Sequence, residues 1–208
     1  MRLLAASGDL GEALARIAQA LRVPVLILAL FVLLVCAIEL GRFCTELWWR
    51  YRSGRGGLLK IARQAVADPP RAPALSQEAP SAFAAQAVVE IARASSAGTG
   101  AGDDVEYALA DYELAVERRL ERTRILVRAG PALGLMGTLI PLAPGLAALG
   151  HGDVATLATD LRTAFAATTI GLLVGTVAFA LTLVRTRVYT EDLTALERAT
   201  TPLAQARV

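Results

Sequence analysis

The stretch GPALGLMGT, residues 130–138, decides how this chain is to be read. It lies in an apolar run, 129–149, of about the 20 residues a helix needs to cross a bilayer. Within it Gly130, Gly134 and Thr138 recur four apart, with Gly137 beside them and Gly145 further on. A helix with that spacing keeps one face bare. In lipid, helices associate by close van der Waals approach, and a row of small residues lets two backbones come near. The run 164–184 repeats the device, with Ala164, Thr168, Gly171, Gly175, Ala178 and Thr182 at 4-3-4-3-4 spacing. The two runs predict a helix-packing seam of Gly130, Gly134, Gly137, Ala164, Gly171, Gly175 and Ala178.

A third apolar run, VPVLILALFVLLVCAIEL at 23–40, is interrupted only by Glu39 near its end. The whole chain of 208 residues is 55% hydrophobic but only 5% aromatic, so its apolar content is Ala, Leu and Val. That composition is a membrane protein's. A net charge of +2 is too balanced to argue for nucleic acid as a partner. Cys36 and Cys44 show no CxxC or Cys/His spacing and read as reduced thiols at apolar sites. The single histidine, His151, reads as a solvated loop residue with no second ligand nearby, so no metal site is expected. No nucleophile elbow, P-loop or dinucleotide fingerprint occurs, which argues against an enzyme and against a cofactor.

The expected architecture is an all-α membrane protein with three transmembrane helices, 23–40, 129–149 and 164–184. An amphipathic segment, 1–22, precedes the first, with no cleavable signal peptide evident. Arginines set the orientation. They cluster in 41–128 and follow the third span at Arg185 and Arg187, while 129–161 contains no Lys or Arg. The positive-inside rule then places 41–128 and the tail 185–208 in the cytoplasm, with 150–163 as an external loop. The N-terminus falls outside, in a protein of the inner, cytoplasmic membrane. Trp48 and Trp49 suit the cytoplasmic interface belt.

The long middle segment has its own punctuation. GGLLKIARQAVAD reads as a short helix, 68–80 as a Pro-rich linker, and 81–93 as a second short helix capped by Ser81. From Asp103 a long helix follows, with Val105, Leu109, Tyr112, Val116 and Leu120 on one face and Glu113, Glu117, Arg118, Glu121 and Arg122 on the other. Nothing in its sequence demands a break before Pro131, so the second span is expected to continue this helix.

Packing accounts for every glycine in the seam, but it does not require the hydroxyls. A threonine in a membrane helix can satisfy itself on the carbonyl one turn back. The central portions of the spans carry no Asp, Glu, Lys or Arg, so the chain has no titratable ion site of its own there. On the sequence alone, then, the charge used in conduction is expected to come from another protein.

Together, GPALGLMGTLIPL and, after a short gap, AFAATTIGLLVGT resemble the MotA/TolQ/ExbB proton-channel family over about 113–187. Ala164-Phe165 stand for the family's Ala-Leu pair, Thr168 for its threonine and Gly171-Leu172 for its Gly-Leu. The resemblance implies a homo-oligomeric ring, typically a pentamer, in the lipid bilayer around a pair of single-span partners of the ExbD/TolR/MotB type. The partner's membrane Asp carries the ion, H⁺ or Na⁺, and threonines of the ring line its route: Thr138, Thr168, Thr163 and Thr169 here. Ion flow then does mechanical work on the cell envelope. The chain departs from the family in having Thr163 where a glutamate is common, Pro141 where a glycine is common, and no proline in 175–178. A non-conducting oligomeric scaffold for a partner protein is the alternative, since small seams alone can assemble three-span helices.

Overall fold

The computed structural model describes residues 13–14, 16–53, 57–96 and 101–205, and no strand occurs among them. Its helices are α1 (Arg22–Ser53), α2 (Gly57–Ala67), α3 (Ala72–Leu75), α4 (Ala82–Ser95), α5 (Ala101–Gly150) and α6 (Val154–Gln205). Of the expected N-terminal amphipathic segment, residues 1–12 and 15 lie outside the described residues. Three helices, α1, α5 and α6, are long and apolar enough to cross a membrane. The chain folds as two compact units. An apolar one comprises Met1–Glu39 with Thr123–Ala180, and a polar one comprises Leu40–Arg122 with Leu181–Val208.

In the apolar unit, α5 continues without interruption through Pro131, Pro141 and Pro144. Each proline lacks an N–H and so frees the carbonyl four residues back. Such breaks in the ladder are tolerated where neighbouring helices cover them. Around Pro131 the cover is Gly175, whose position leaves room for the ring and for the Val127 carbonyl that Pro131 releases. Cys36, Leu126, Val174 and Ala178 form the buried centre of this unit. Cys36 Sγ points at the Val174 carbonyl, 3.9 Å away.

Cys44, by contrast, is exposed, so only the first cysteine sits in a covered apolar site. The apolar run ends at Leu40, and the helix carries Cys44 on an outward face beyond it.

The turn between α5 and α6 is shorter than the 150–163 loop expected from sequence. His151 is exposed in it, Gly152 closes it with φ at +80°, and α6 begins at Val154. The reason is a cap. Asp153 Oδ1 accepts from the Thr156 N–H at 3.0 Å and Oδ2 from the Thr156 hydroxyl at 2.5 Å. These bonds, the hydroxyl's first, hold the Asp153 carboxyl below its usual pKa.

The polar unit has a core of Leu58, Ile61 and Ala65 from α2, Ala87, Val88 and Ile91 from α4, and Tyr112 and Leu196 from the long helices. Ser81 accepts from the Ala84 N–H at 3.1 Å and so caps α4. On α5, Val105, Tyr112 and Leu120 are buried while Glu113, Glu117, Arg118, Glu121 and Arg122 are exposed. The Pro-rich stretch 68–80 is not a free linker. It folds as two short 3₁₀ turns, Pro69–Arg71 and Ser76–Glu78, flanking α3, and buries Ala72 and Ala79. Prolines at the first helical positions start such turns without wasting an N–H.

Candidate functional site

The glycines of α5 and α6 meet backbone to backbone. A Cβ added at Gly130 would lie 2.7 Å from the Gly171 carbonyl oxygen and 2.9 Å from the Gly175 nitrogen. One added at Gly134 would lie 3.2 Å from the Gly171 Cα and 3.4 Å from the Thr168 Cα. At Gly137 the obstacle is the Ala167 Cβ, 2.6 Å away. Ala164 and Ala178 are buried on the same stripe of α6, at 3% and 0% exposed. Only glycine lets these two helices come so near, because the neighbour is main chain, or at Gly137 a Cβ fixed to it, and cannot turn aside.

The four threonines do not behave alike. Thr138 donates to the Leu135 carbonyl at 2.7 Å, Thr163 to that of Thr159 at 3.1 Å, and Thr169 to that of Phe165 at 2.9 Å. Each is thus satisfied within its own helix. Thr168 is half-buried, with its backbone against Gly134, and its hydroxyl makes no such bond among the described residues. Thr169 is exposed on the next position round the helix, away from the seam. The structure therefore sets one threonine of the four, Thr168, into the wall where the two backbones touch.

Sequence reasoning missed three features. Ala167, the partner of Gly137, was hidden because alanine is unremarkable in an Ala-rich helix. Asp160 falls within the loop expected at 150–163, yet it is buried on α6 and ion-paired with Arg22 at 2.5 Å. The Asp153-Val-Ala-Thr156 cap was the available signal, since a helix begun there puts Asp160 four residues before Ala164.

The third is a part-buried charge cluster in the polar unit. Arg50 grips both oxygens of Asp192, at 3.0 and 2.5 Å, while Glu46 accepts from Tyr189 at 3.2 Å and from Arg119 at 3.5 Å. Tyr112 donates to the same Asp192 at 3.4 Å, and Arg119 stacks over Phe83 with 4.9 Å to the ring centroid. No group of three His, Cys, Asp or Glu side chains able to hold a metal occurs among the described residues.

Three long apolar helices, two of them fused along a glycine seam, define a multi-pass membrane protein. The chain belongs to the MotA/TolQ/ExbB proton channel family, whose model matches residues 76–197, more than half of the sequence. The matched region runs from the turn before α4 through all of α5 and most of α6, so it contains both arms of the seam and all four threonines. No curated protein and no solved structure gives a significant match.

Proposed function

We propose that this chain is the ring subunit of an ion-driven complex in the inner membrane. Copies of it, five in the family's usual arrangement, surround single-span partners of the ExbD/TolR/MotB type. The partner's membrane Asp carries H⁺ or Na⁺ past Thr168, and the resulting helix movement does mechanical work on the envelope. The arginine-rich residues 41–128 and the tail 185–208 face the cytoplasm in this reading, and the turn at His151 faces outward.

The observation that carries it is the placing of Thr168 in a channel-family chain. Thr168 has its main chain in the glycine wall, is half-buried, and makes no hydroxyl bond to its own helix among the described residues. It can donate to a carboxylate or hold a water beside one. The electrical driving force supplies about 2.3 kcal/mol per charge per 100 mV, enough to move one packed-helix contact for each ion or two.

A scaffold without conduction is the second reading, and the back-bonded Thr138, Thr163 and Thr169 favour it, since satisfied hydroxyls have no donor left for an ion path. Ion flux through the native complex, captured by a tag on this chain and placed in liposomes, separates the two. Thr168→Val keeps the shape and removes the hydroxyl. Conduction predicts an intact oligomer with flux reduced about tenfold, and recovery with Thr168→Ser. Unchanged flux with Thr168→Val, or no flux from the unaltered complex, would sink the channel reading.

A further inference from the structure

Two carboxylates are buried in the apolar unit among its described residues, Glu39 near the end of its α1 segment and Asp160 near the start of α6. Asp160 begins the stripe by which α6 packs: Asp160, Ala164, Ala167, Gly171, Val174 and Ala178 are all buried, at steps of three or four. Its Oδ1 accepts from Arg22 Nη2 at 2.5 Å. The Arg22 side chain stays 33% exposed and that of Asp160 only 6%, so the acid is the inner member of the pair. Opposite lies Gly145, where a Cβ would come within 3.2 Å of the Asp160 Cβ and 3.6 Å of Oδ2. From α5, then, Asp160 receives space and no charge, because residues 129–150 contain no charged side chain. As a fastener, such a pair is a poor choice. Desolvating two charges offsets most of their attraction, and apolar residues of the same volume would hold the helices equally well. Asp160 stands one turn before the apolar run 164–184, in a helix long and apolar enough to cross a membrane, and an ionisable residue in such a helix marks a functional site, an ion route among them.

We infer that Asp160 is an ion-carrying group of this chain's own, taking up the permeating H⁺ or Na⁺ at the α6 N-terminal end of the seam and releasing it toward Thr168. The inference rests on the channel reading above and adds a second carboxylate to the partner's. For a proton the exchange balances simply. The carboxylate takes H⁺ from hydronium, leaving water, and later returns H⁺ to a water or carboxylate further in. For Na⁺ the carboxylate oxygens replace part of the hydration shell and no covalent bond changes. Thr168 lies eight residues on, about 12 Å along the helix, a gap for water or the partner's carboxylate to span. While the ion is bound, Arg22 loses its counter-charge, so the tie between α1 and α6 is loosened once per ion.

The test uses the native complex in liposomes, with a lumenal pH dye under a proton gradient in one arm and radioactive sodium under a sodium gradient in the other. Asp160→Asn should lower flux of the carried ion about tenfold or more, and Asp160→Glu should retain most of it. Two double variants remove the ambiguity of a fastener. Asp160→Asn with Arg22→Gln leaves no unpaired charge, and Asp160→Arg with Arg22→Asp restores the pair with the carboxylate moved to α1. Both are expected to assemble normally by native mass spectrometry and to conduct no better than Asp160→Asn. Flux near that of the unaltered complex from either double would overturn the inference and leave the pair as a tie. Failure of both doubles to assemble would do the same. Should the unaltered complex carry neither ion, the channel reading fails and this inference with it. Flux lost on Thr168→Val but kept on Asp160→Asn removes this inference alone.

Discussion

Gly171→Ala adds a single methyl group at the tightest point of the seam. Its Cβ would fall 2.5 Å from the Gly130 carbonyl oxygen, 2.7 Å from the Gly134 Cα and 2.9 Å from the Gly134 nitrogen. All three atoms are backbone, so no rotamer change relieves the contact. Carbon and oxygen settle at about 3.3 Å or more, so α5 and α6 have to part locally by roughly 0.8 Å. Overpacking of this kind costs about 1–3 kcal/mol. Alanine recovers about 1 kcal/mol through its better helix propensity, which leaves a net loss of up to about 2 kcal/mol.

For a chain of this length each kcal/mol is about 2–4 °C in Tm, so a fall of up to about 8 °C is expected. Cys36 is a built-in reporter: it is buried at 4% exposed beside Val174, and a fluorogenic maleimide reaches it only when the apolar unit opens. With Cys44→Ser as background, melting of the detergent-solubilised protein is followed through that one thiol. The control is Gly41→Ala, where nothing lies within 4 Å and propensity alone acts, so Tm should hold or rise. A Gly171→Ala protein melting at or above its parent, with the control unchanged, would refute the close approach of the two backbones.

In the polar unit, Asp192→Ala removes the nearer of the two carboxylates on Arg50, whose side chain is 15% exposed, leaves it Glu46 at 3.5 Å, and takes away the acceptor of the Tyr112 hydroxyl. With Glu46 still beside Arg50 the loss should be about 1–3 kcal/mol, and Asp192→Leu with Arg50→Met, which leaves no charge behind but also leaves the Tyr112 hydroxyl unpaired, should fall less. An equal fall for both would show that the shape of these side chains matters and their charge does not. Orientation is tested with Ser76→Cys and His151→Cys in the Cys44→Ser background. A membrane-impermeant maleimide on intact cells is expected to label the second and spare the first. The reverse pattern would turn the whole chain over.

Spans, seam and the cap on α4 are legible in the sequence because each is a matter of local spacing. Twenty apolar residues, small residues at every third or fourth position, or a serine ahead of a helical run report the conformation of one segment. The α5 helix could be followed from residue 103 into its membrane run for the same reason, and it begins within two residues of that point. Where sequence reading went astray, local signals pointed the wrong way. The prolines of 68–80 suggested an extended linker, but packing of Ala72 and Ala79 turns them into starts of short helical turns. The polar residues after Gly150 suggested a long loop, but the Asp153 cap starts α6 at once.

What only the tertiary structure decided is which residue meets which. Periodicity placed Gly130 and Gly171 each on a bare face, and it could not say that the carbonyl of one lies over the α-carbon of the other. Thr168 and Thr169 are adjacent and chemically identical in sequence, and they part company because only Thr168 turns toward α5. Asp160 and Arg22 stand 138 residues apart, as Arg50 and Asp192 stand 142 apart. Such pairs leave no mark in either neighbourhood. A charge looks solvated until the fold brings a partner and removes the water, and that is a property of the packed helices rather than of any one of them.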